Sequence, residues 1–349
     1  MPPTSNLTRP EHFGLAHYLV FGAVMLLTLV VCVCIGSVNI PFADTVTVIW
    51  NAITGQAQPE ISAVSIILSV RLPRILCVAL VGASLSLCGV AMQGLLKNPL
   101  ADGSTLGVSS GASLGAVVAI AFGITIPSMP FAGTMVLAIV FAFLSLVIIL
   151  SLAYRLDHSL ATNTIILIGV IFSMFVSSIL SLVITFASDK LQSITFWTMG
   201  SLAGSSYKNA LVLLVSLVVF GSAIFRYARE LNAFAIGEDN ARHIGVNVKR
   251  VKLVVLIAAS ALIGVCVSIG GTIGFVGLVT PHMVRMIVGP NHKRLLPATV
   301  FGGATFLMLC DLVARILLDP KELPIGVVTS FVGAILFVVI FYQTRRGKG

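Results

Sequence analysis

Few side chains in this sequence have the types and spacing that catalysis or metal binding requires. The six histidines are scattered along the chain, and neither an HExxH nor a CxxC pattern occurs. The glycine-rich Walker sequence that cradles nucleotide phosphates is also absent. The sequence therefore predicts no catalytic residue, no metal site and no cofactor bound by this chain, so any ATP hydrolysis would have to take place on another chain.

One carboxylate, Asp311, lies inside a strongly apolar stretch. This placement is costly in a membrane and makes Asp311 a functional candidate. Arg315 follows four residues later, which is the spacing of an ion pair within one helix, and we prefer that interpretation. A proton relay would need further ionisable groups at a similar depth, and the sequence shows none.

A polar island, defined here as Arg226 to Lys252, interrupts a sequence that is otherwise strongly apolar. It holds six basic and three acidic side chains, whereas the stretches 131–153 and 253–269 carry no charge. Residues 233–244 can form a short amphipathic helix that ends at Gly245. The acidic start of this helix disfavours an anionic membrane surface, so docking into a groove of a protein partner is the preferred interpretation.

The composition is that of an integral membrane protein. Of the 349 residues, 58% are hydrophobic and 9% are charged, whereas a soluble domain has about 25% charged residues. Because each crossing needs roughly 20 mostly apolar residues, we predict ten spans, at 15–36, 75–95, 106–122, 131–153, 164–187, 210–225, 253–271, 273–288, 297–318 and 324–342. The eighth run is short and contains Gly274, Gly277 and Pro281, which indicates a broken helix buried against protein.

Lys and Arg residues are distributed unequally between the two sides that ten spans define. Fifteen of the 21 lie on the side of the termini, and the other six lie on the opposite side. The positive-inside rule therefore places both termini and the polar island in the cytoplasm. The net charge of +9 follows from this asymmetry and from contact with anionic lipid, so no nucleic-acid partner is required.

Two further segments have predicted structural roles. Gly103, Gly107, Gly111 and Gly115 recur every four residues, which would stack them along one side of the third helix beside a translocation path or, as we prefer, a closely packed neighbouring helix. The segment from Ser37 to Arg74 mixes proline and glycine with apolar residues, and we predict that it lies along the outer interface as short helices.

Several longer motifs occur in unbroken order along the chain. They are RLPR from Arg71, GVAMQGLLKNPLADGSTLGVSSGASLG from Gly89, the polar island, GFVGLVTPHMVR from Gly274, DLVAR from Asp311 and ELPIGVVTSFVGA from Glu322. This series resembles the FecCD family, the permeases of type II ABC importers for iron-siderophores, haem and vitamin B12. The resemblance covers the chain from Arg71 to the C-terminus, and the first 60 or so residues are similar to the family in pattern alone.

The resemblance implies an all-α integral membrane protein with a BtuC-like bundle of about ten transmembrane helices, in which residues 1–349 form one permease domain. It implies two permease copies, with a homodimer preferred over a heterodimer. It also implies two cytoplasmic ATPase subunits that bind ATP and Mg, and an extracytoplasmic substrate-binding protein. In this arrangement residues 226–252 are a cytoplasmic coupling segment, and residues 37–74 are an extracytoplasmic interfacial segment.

The short helix of the polar island resembles the coupling helix that the ATPase holds in a cleft. The positions that match it are Phe234, Ile236, Gly237, Glu238, Asp239, Ala241, Arg242, Ile244 and Gly245.

Three arginines, Arg71, Arg74 and Arg315, lie at the outer ends of predicted spans. In similar permeases these positions meet acidic residues of the binding protein. The alternative is that they extend to lipid headgroups, as arginines at span ends commonly do.

The inner gate of similar permeases is formed by the loops after the second and fourth helices. Asn98, Leu100, Thr162 and Asn163 match those positions here, and helix capping and loop turning are the alternative roles for all four.

The sequence thus predicts the permease subunit of an ATP-driven importer for a bulky iron chelate, with cobalamin or haem as alternative cargoes. An ion-coupled secondary transporter would need intramembrane carboxylates and inverted repeats. A membrane scaffold that only recruits a partner would tolerate bulky substitutions of the four glycines, whereas a moving bundle would not.

Overall fold

The fold was analysed in a computed structural model that describes residues 13–36, 38, 40–59, 63–103, 106–125 and 132–346. Within these ranges the chain is almost entirely helical and forms no β-strand. The helices are α1 (Leu15–Cys34), α2 (Phe42–Thr54), α3 (Ala63–Leu96), α4 (Val108–Ala121), α5 (Ala132–Leu156), α6 (Thr162–Phe186), α7 (Leu191–Thr198), α8 (Tyr207–Arg226), α9 (Ala228–Ala235), α10 (Glu238–His243), α11 (Val248–Gly270), α12 (Val276–Val288), α13 (His292–Ile316) and α14 (Ile325–Arg346).

Ten of these helices correspond to the ten predicted spans. Seven, namely α1, α3, α5, α6, α8, α11 and α13, are long and apolar enough to cross a membrane by length and composition. The helices α4, α12 and α14 supply the three remaining apolar segments of the described chain. The all-α membrane architecture inferred from the sequence is therefore confirmed.

Helix α3 lies at the centre of the bundle and packs against α8, α11, α12 and α13. Two hydrophobic cores surround it, one around its first half, from Ile67 to Ala83, and one around its second half, from Leu87 to Leu96. Where α3 comes closest to other helices, the residues at the contact are glycines. A Cβ at Gly89 would overlap the carbonyl oxygen of Gly277 on α12, so only glycine allows the two backbones to meet.

Helix α12 is a half-helix, as the broken eighth run predicted. Its 13 residues span about 20 Å, which is less than the roughly 30 Å of a hydrocarbon core. Pro281 lies inside it and lacks the N–H that would bond to the carbonyl of Gly277. Gln93 of α3 compensates, because its Nε2 donates to the carbonyls of Gly277 and Leu278 at 3.2 Å each.

The predicted stripe of four glycines on one helix is wrong. Helix α4 begins at Val108, so Gly103 and Gly107 precede it, and Gly107 has a φ of +71° at the helix N-cap. The sequence period was misleading because the described residues before Val108, at 97–103, 106 and 107, are not helical.

All four glycines nevertheless lie at close contacts, as their spacing suggested. Added Cβ atoms at Gly111 and Gly115 would overlap Ser145 and the carbonyl oxygen of Leu137 on α5. A Cβ at Gly103 would lie 2.9 Å from the Ile263 side chain of α11. The four glycines therefore do not lie on one helix face. They lie instead at contacts with several different helices.

Two features outside the main bundle complete the fold. The predicted interfacial segment contains α2 and a π-helical stretch, Ile66–Arg71, that leads directly into the rest of α3. Helix α7, which the sequence analysis missed, is an eight-residue element between α6 and α8. It is too short to produce the long apolar run by which spans were recognised.

We predict that Gly89→Ala destabilises the bundle, because the new methyl group must displace the backbone of α12. The free energy of unfolding should fall by about 1–3 kcal/mol, measured as a lower midpoint of thermal unfolding in detergent. Gly22→Ala on α1 is the matched control, since nothing lies within 4 Å of a Cβ at that position. Equal midpoints for the two variants would contradict the close packing of α3 against α12.

Candidate functional site

The polar island folds as two short helices joined by a glycine turn. Helix α9 ends at Ala235 and α10 begins at Glu238, with Gly237 between them at a φ of +122°. The predicted single helix over residues 233–244 is therefore wrong, because a glycine with positive φ breaks it. Gly245, with a φ of +89°, follows the end of α10 as predicted.

The apolar residues of the predicted coupling helix point in two opposite directions. Phe234 and Ala241 are fully buried and hold the island onto the bundle. Ile236 and Ile244, in contrast, are 61% and 64% exposed. The outward surface of the island therefore combines two exposed isoleucines with charged side chains.

The charged residues of α10 also divide between these two directions. Asp239 is exposed and forms an ion pair of 3.5 Å with Arg242, one turn later on the same helix. Glu238 instead points into the protein, where its Oε1 lies 2.7 Å from Nζ of Lys252. Lys252 is fully buried. A buried ammonium group is tolerated only when it is paired in this way.

The contacts of Glu238 reach one of the predicted gate loops. Thr162, the first residue of α6, donates a hydrogen bond from Oγ1 to Glu238 Oε1 at 2.8 Å. Lys252 Nζ donates to the carbonyl of Leu160 in the same loop, also at 2.8 Å. The polar island, the start of α11 and the start of α6 are thus tied together by three polar contacts.

The loop before Thr162 is held in one conformation by its own hydrogen bonds. Asp157 accepts from the backbone N–H groups of Ser159, at 2.8 Å, and Ala161, at 3.0 Å. Hydrogen bonding from Ser159, through its side chain and then its backbone, and from Ala161 lowers the pKa of the Asp157 carboxyl. Because the folded-state pKa is depressed, this carboxylate stabilises the loop at neutral pH, and the contribution is lost as the pH falls through the folded pKa.

The other predicted gate loop follows α3. Asn98 Oδ1 accepts from the backbone N–H of Leu100 at 2.9 Å, which is the turn-forming role that the sequence analysis considered as an alternative. Leu100 is 49% exposed, and Asn163 on α6 is also exposed. A Cβ at Gly237 would lie 3.8 Å from Nζ of Lys97, so the α9–α10 turn is also a neighbour of this loop.

At the opposite end of the bundle, Arg74 and Arg315 converge on Asp311. Asp311 Oδ2 lies 3.0 Å from Arg315 Nε on the same helix, so the predicted intrahelical ion pair is confirmed. Arg74 of α3 lies 3.0 Å from Asp311 Oδ1 and also contacts Glu322 Oε2 at 2.7 Å. These contacts from another helix could not be read from sequence spacing.

Arg315, together with Arg71, closes the end of α1. Arg315 donates to the carbonyls of Cys32 and Ile35, at 2.9 and 3.0 Å. Arg71 donates to the carbonyls of Val33 and Cys34, at 2.8 and 3.0 Å, and to that of Val38. These contacts satisfy the last carbonyl groups of a helix, which have no partner within the helix itself.

The three arginines are buried, which does not favour the docking role predicted for them. Arg71 and Arg74 are each 6% exposed and Arg315 is 4% exposed, with their guanidinium groups turned to acceptors within the chain. In this structure they stabilise the bundle and present little charge to solvent. Docking of a binding protein by these residues stays a prediction and would require them to leave their present partners.

A cavity of about 240 Å³, lined by both apolar and hydroxyl side chains, lies between the non-helical stretches that precede α4 and α12. Its lining includes Ser109, Ser110 and Ser113 on one side and Thr272 on the other. Non-helical backbone at membrane depth is tolerated where it is buried in protein or lines such a cavity. The short apolar runs broken by glycine were the only sequence signal of this site.

Comparison with known proteins identifies the family. The model of the FecCD transport family matches residues 24–343. The molybdate import permease MolB of Haemophilus influenzae is 36% identical, and the alignment covers 94% of this chain and 96% of that protein. The hemin transport permease HmuU of Yersinia pestis is 35% identical, with 93% and 96% coverage.

A solved structure shows the same arrangement of helices. It is described as an inward-facing conformation of a metal-chelate type ABC transporter, and it superposes on this chain with a TM-score of 0.81. The two chains are 33% identical, and the match covers 94% of this chain and 99% of the other. With ten apolar helices in its described ranges and a family match over residues 24–343, this chain belongs to the FecCD transport family as a permease subunit of an ABC importer.

Proposed function

We propose that this permease carries a bulky metal chelate, in the first place a ferric siderophore, across the bacterial cytoplasmic membrane. The work is done by ATP hydrolysis on two separate subunits, which bind the ATP and Mg. The polar island is the single feature that carries this proposal. Its outward surface can bind a partner, while its inward surface is tied to a gate loop through Glu238 and Thr162.

The proposed orientation places the polar island and both termini in the cytoplasm. It rests on the fifteen Lys and Arg residues on that side against six on the other. The arginine cluster then lies at the extracytoplasmic end, where a substrate-binding protein would deliver the cargo. In this orientation the exposed isoleucines of the island face the compartment that supplies ATP.

A second copy of the chain is proposed to complete the path, most simply as a homodimer. The cavity between the stretches that precede α4 and α12 holds about 240 Å³, which is below the roughly 300–1,000 Å³ of sites for drug-sized ligands. A bulky chelate that passes there would need more space than one copy encloses at that place.

The choice of a metal chelate follows the likeness to the metal-chelate type transporter. Haem is the second candidate, because the hemin permease is 35% identical over nearly the whole chain. Cobalamin would use the same architecture. A relative of similar identity is named for molybdate, so the shared fold does not by itself select the cargo. We propose that the binding protein selects it.

Ion-coupled secondary transport is disfavoured by the contacts of Asp311. This carboxylate is 1% exposed and lies against Arg74 and Arg315. A coupling carboxylate must be able to exchange its proton or ion with the transport path. Asp311 is instead occupied by two permanent cations.

The cargo can be tested by uptake into cells that express the complete importer. We expect saturable accumulation of a labelled ferric siderophore, which excess unlabelled siderophore abolishes and excess hemin, cobalamin or molybdate does not. Inactivation of the ATPase subunit should abolish the accumulation. Stronger accumulation of one of the competing compounds would overturn the proposed cargo, and accumulation that does not need ATP would overturn the mechanism.

We predict that Ile236→Ser combined with Ile244→Ser disrupts docking of the ATPase. Burying an isoleucine contributes about 1.5–3 kcal/mol, so the loss of both should weaken binding at least tenfold. The measurements are the amount of ATPase subunit that copurifies with the permease and the rate of ATP-dependent uptake.

Leu156→Ser is the control for this pair, because Leu156 is 74% exposed at the same end of the bundle but outside the island. It should leave copurification unchanged. Normal copurification and uptake in the double isoleucine variant would remove the coupling role of the island.

We predict that Thr162→Val uncouples ATP hydrolysis from transport. The substitution removes the hydrogen bond to Glu238 but keeps the Glu238–Lys252 ion pair, so the protein should still fold and bind the ATPase. A hydrogen bond to a charged group contributes roughly 1.5–3 kcal/mol. We therefore expect the amount of cargo carried per ATP hydrolysed to fall about tenfold.

Thr164→Val is the matched control, because Thr164 lies in the same turn of α6 and makes none of these contacts. It should keep the normal ratio of transport to hydrolysis. If Thr162→Val behaves like Thr164→Val, the gate is not moved through this contact.

A further inference from the structure

A large basic cavity is lined mostly by residues of the polar island, including Ile244, but not by Glu238 or its partners. It has a volume of about 900 Å³ and is formed where the starts of α1, α11 and α13 meet the end of α8 and the first turn of α9. Four cationic side chains line it, namely Arg226, Arg229, Arg250 and Lys293. Glu230 is its one acidic residue among the described part of the chain.

Within the described part of the chain, this cavity holds more positive than negative charge. Arg226, Arg229 and Arg250 are exposed, and no ion pair among the described residues joins any of these three to an acidic group. Helices α11 and α13 also begin here, at the N-caps Asn247 and Asn291. The N-terminal ends of helices carry partial positive charge. The cavity is therefore suited to an anion.

The surroundings of the cavity place that anion at the surface of a membrane. Tyr18 and Phe225 line one side of it, and aromatic residues are enriched at the level of lipid headgroups. Helix α8, which leads into the cavity, exposes a row of apolar side chains, including Leu211, Val215 and Val218. An apolar surface that ends at a cationic cavity matches the chain and the headgroup of a phospholipid.

Glu230 adds a requirement for a hydrogen-bond donor. Its Oε2 is buried and has no hydrogen-bond partner within the part of the chain that the structure describes. A phosphodiester carries no proton at neutral pH and cannot donate to this carboxylate, and the additional negative charge of a phosphate monoester would be repelled by it. A headgroup with both a phosphate and hydroxyl groups would meet the arginines with the first and Glu230 with the second.

We propose that this cavity binds the headgroup of phosphatidylglycerol, or of a related anionic glycerophospholipid that carries a free hydroxyl. The phosphodiester lies among Arg226, Arg229 and Arg250, and a glycerol hydroxyl donates to Glu230. The bound lipid would fill the space between the membrane and the base of the polar island. The proposal does not depend on the cargo, and its cavity shares one lining residue, Ile244, with the surface proposed for the ATPase.

The test uses the full-length permease, delipidated in detergent and exchanged into vesicles of phosphatidylcholine alone or with added phosphatidylglycerol or phosphatidic acid. Native mass spectrometry counts the lipids retained. Arg226→Gln, Arg229→Gln and Arg250→Gln together should weaken retention of phosphatidylglycerol roughly 100-fold, because each basic side chain contributes about fivefold. The matched control removes three exposed lysines at the opposite end, by Lys190→Gln, Lys208→Gln and Lys321→Gln, and should retain the lipid normally.

A second variant, Glu230→Gln, separates the headgroup from a simple phosphate. It should weaken retention of phosphatidylglycerol several-fold and leave phosphatidic acid unchanged or stronger. This single substitution also tests the proposal if the triple arginine variant fails to fold.

Three results would overturn the assignment. One is equal retention of phosphatidylcholine and phosphatidylglycerol by the unaltered protein. Another is displacement of the lipid by millimolar inorganic phosphate, which would indicate a site for a free anion. The third is normal lipid retention in the triple arginine variant together with loss of the copurifying ATPase, which would assign the cavity to an acidic protein surface.

Discussion

The structure depends on one constraint, which is that a membrane offers no water to polar groups at its centre. Every backbone N–H, carbonyl and charge at that depth must find a partner within the protein. Long helices meet this constraint along most of the chain. Where the helices are interrupted, side chains supply the missing partner, as Gln93 does for the carbonyl group of Gly277 that Pro281 leaves without its helical donor.

The same constraint explains why the buried charges occur in sets. Arg74, Asp311 and Arg315 lie in mutual contact at one end of the bundle, and Arg71 and Arg315 cover the open carbonyl groups of α1. Removing one member would leave the others unpaired, which typically costs about 3–5 kcal/mol. These residues therefore act first as structural elements, and a docking function would have to compete with these contacts.

At the other end, the buried pair of Lys252 and Glu238 has different surroundings. It connects a surface element, the polar island, to the start of α6 through Thr162. A partner that displaced the island would act on α6 through a short chain of strong contacts. The buried ion pair that stabilises this region can therefore also transmit motion. A partner bound to the exposed Ile236 and Ile244 would be the source of that motion.

The sequence alone determined the helical membrane architecture, the ten apolar segments, the broken eighth helix and the ion pair of Asp311 with Arg315, because all of these follow from hydropathy, glycine and proline placement, or i to i+4 spacing. It also marked the polar island as the exposed element. Only the tertiary structure decided that Glu238 faces inward, that Gly237 divides the island and that Gly103 and Gly107 lie outside α4. The structure also decided that Arg74 joins Asp311. The inward position of Glu238 and this contact depend on partners that are distant in the chain, Lys252 and Arg74, and no local periodicity encodes them.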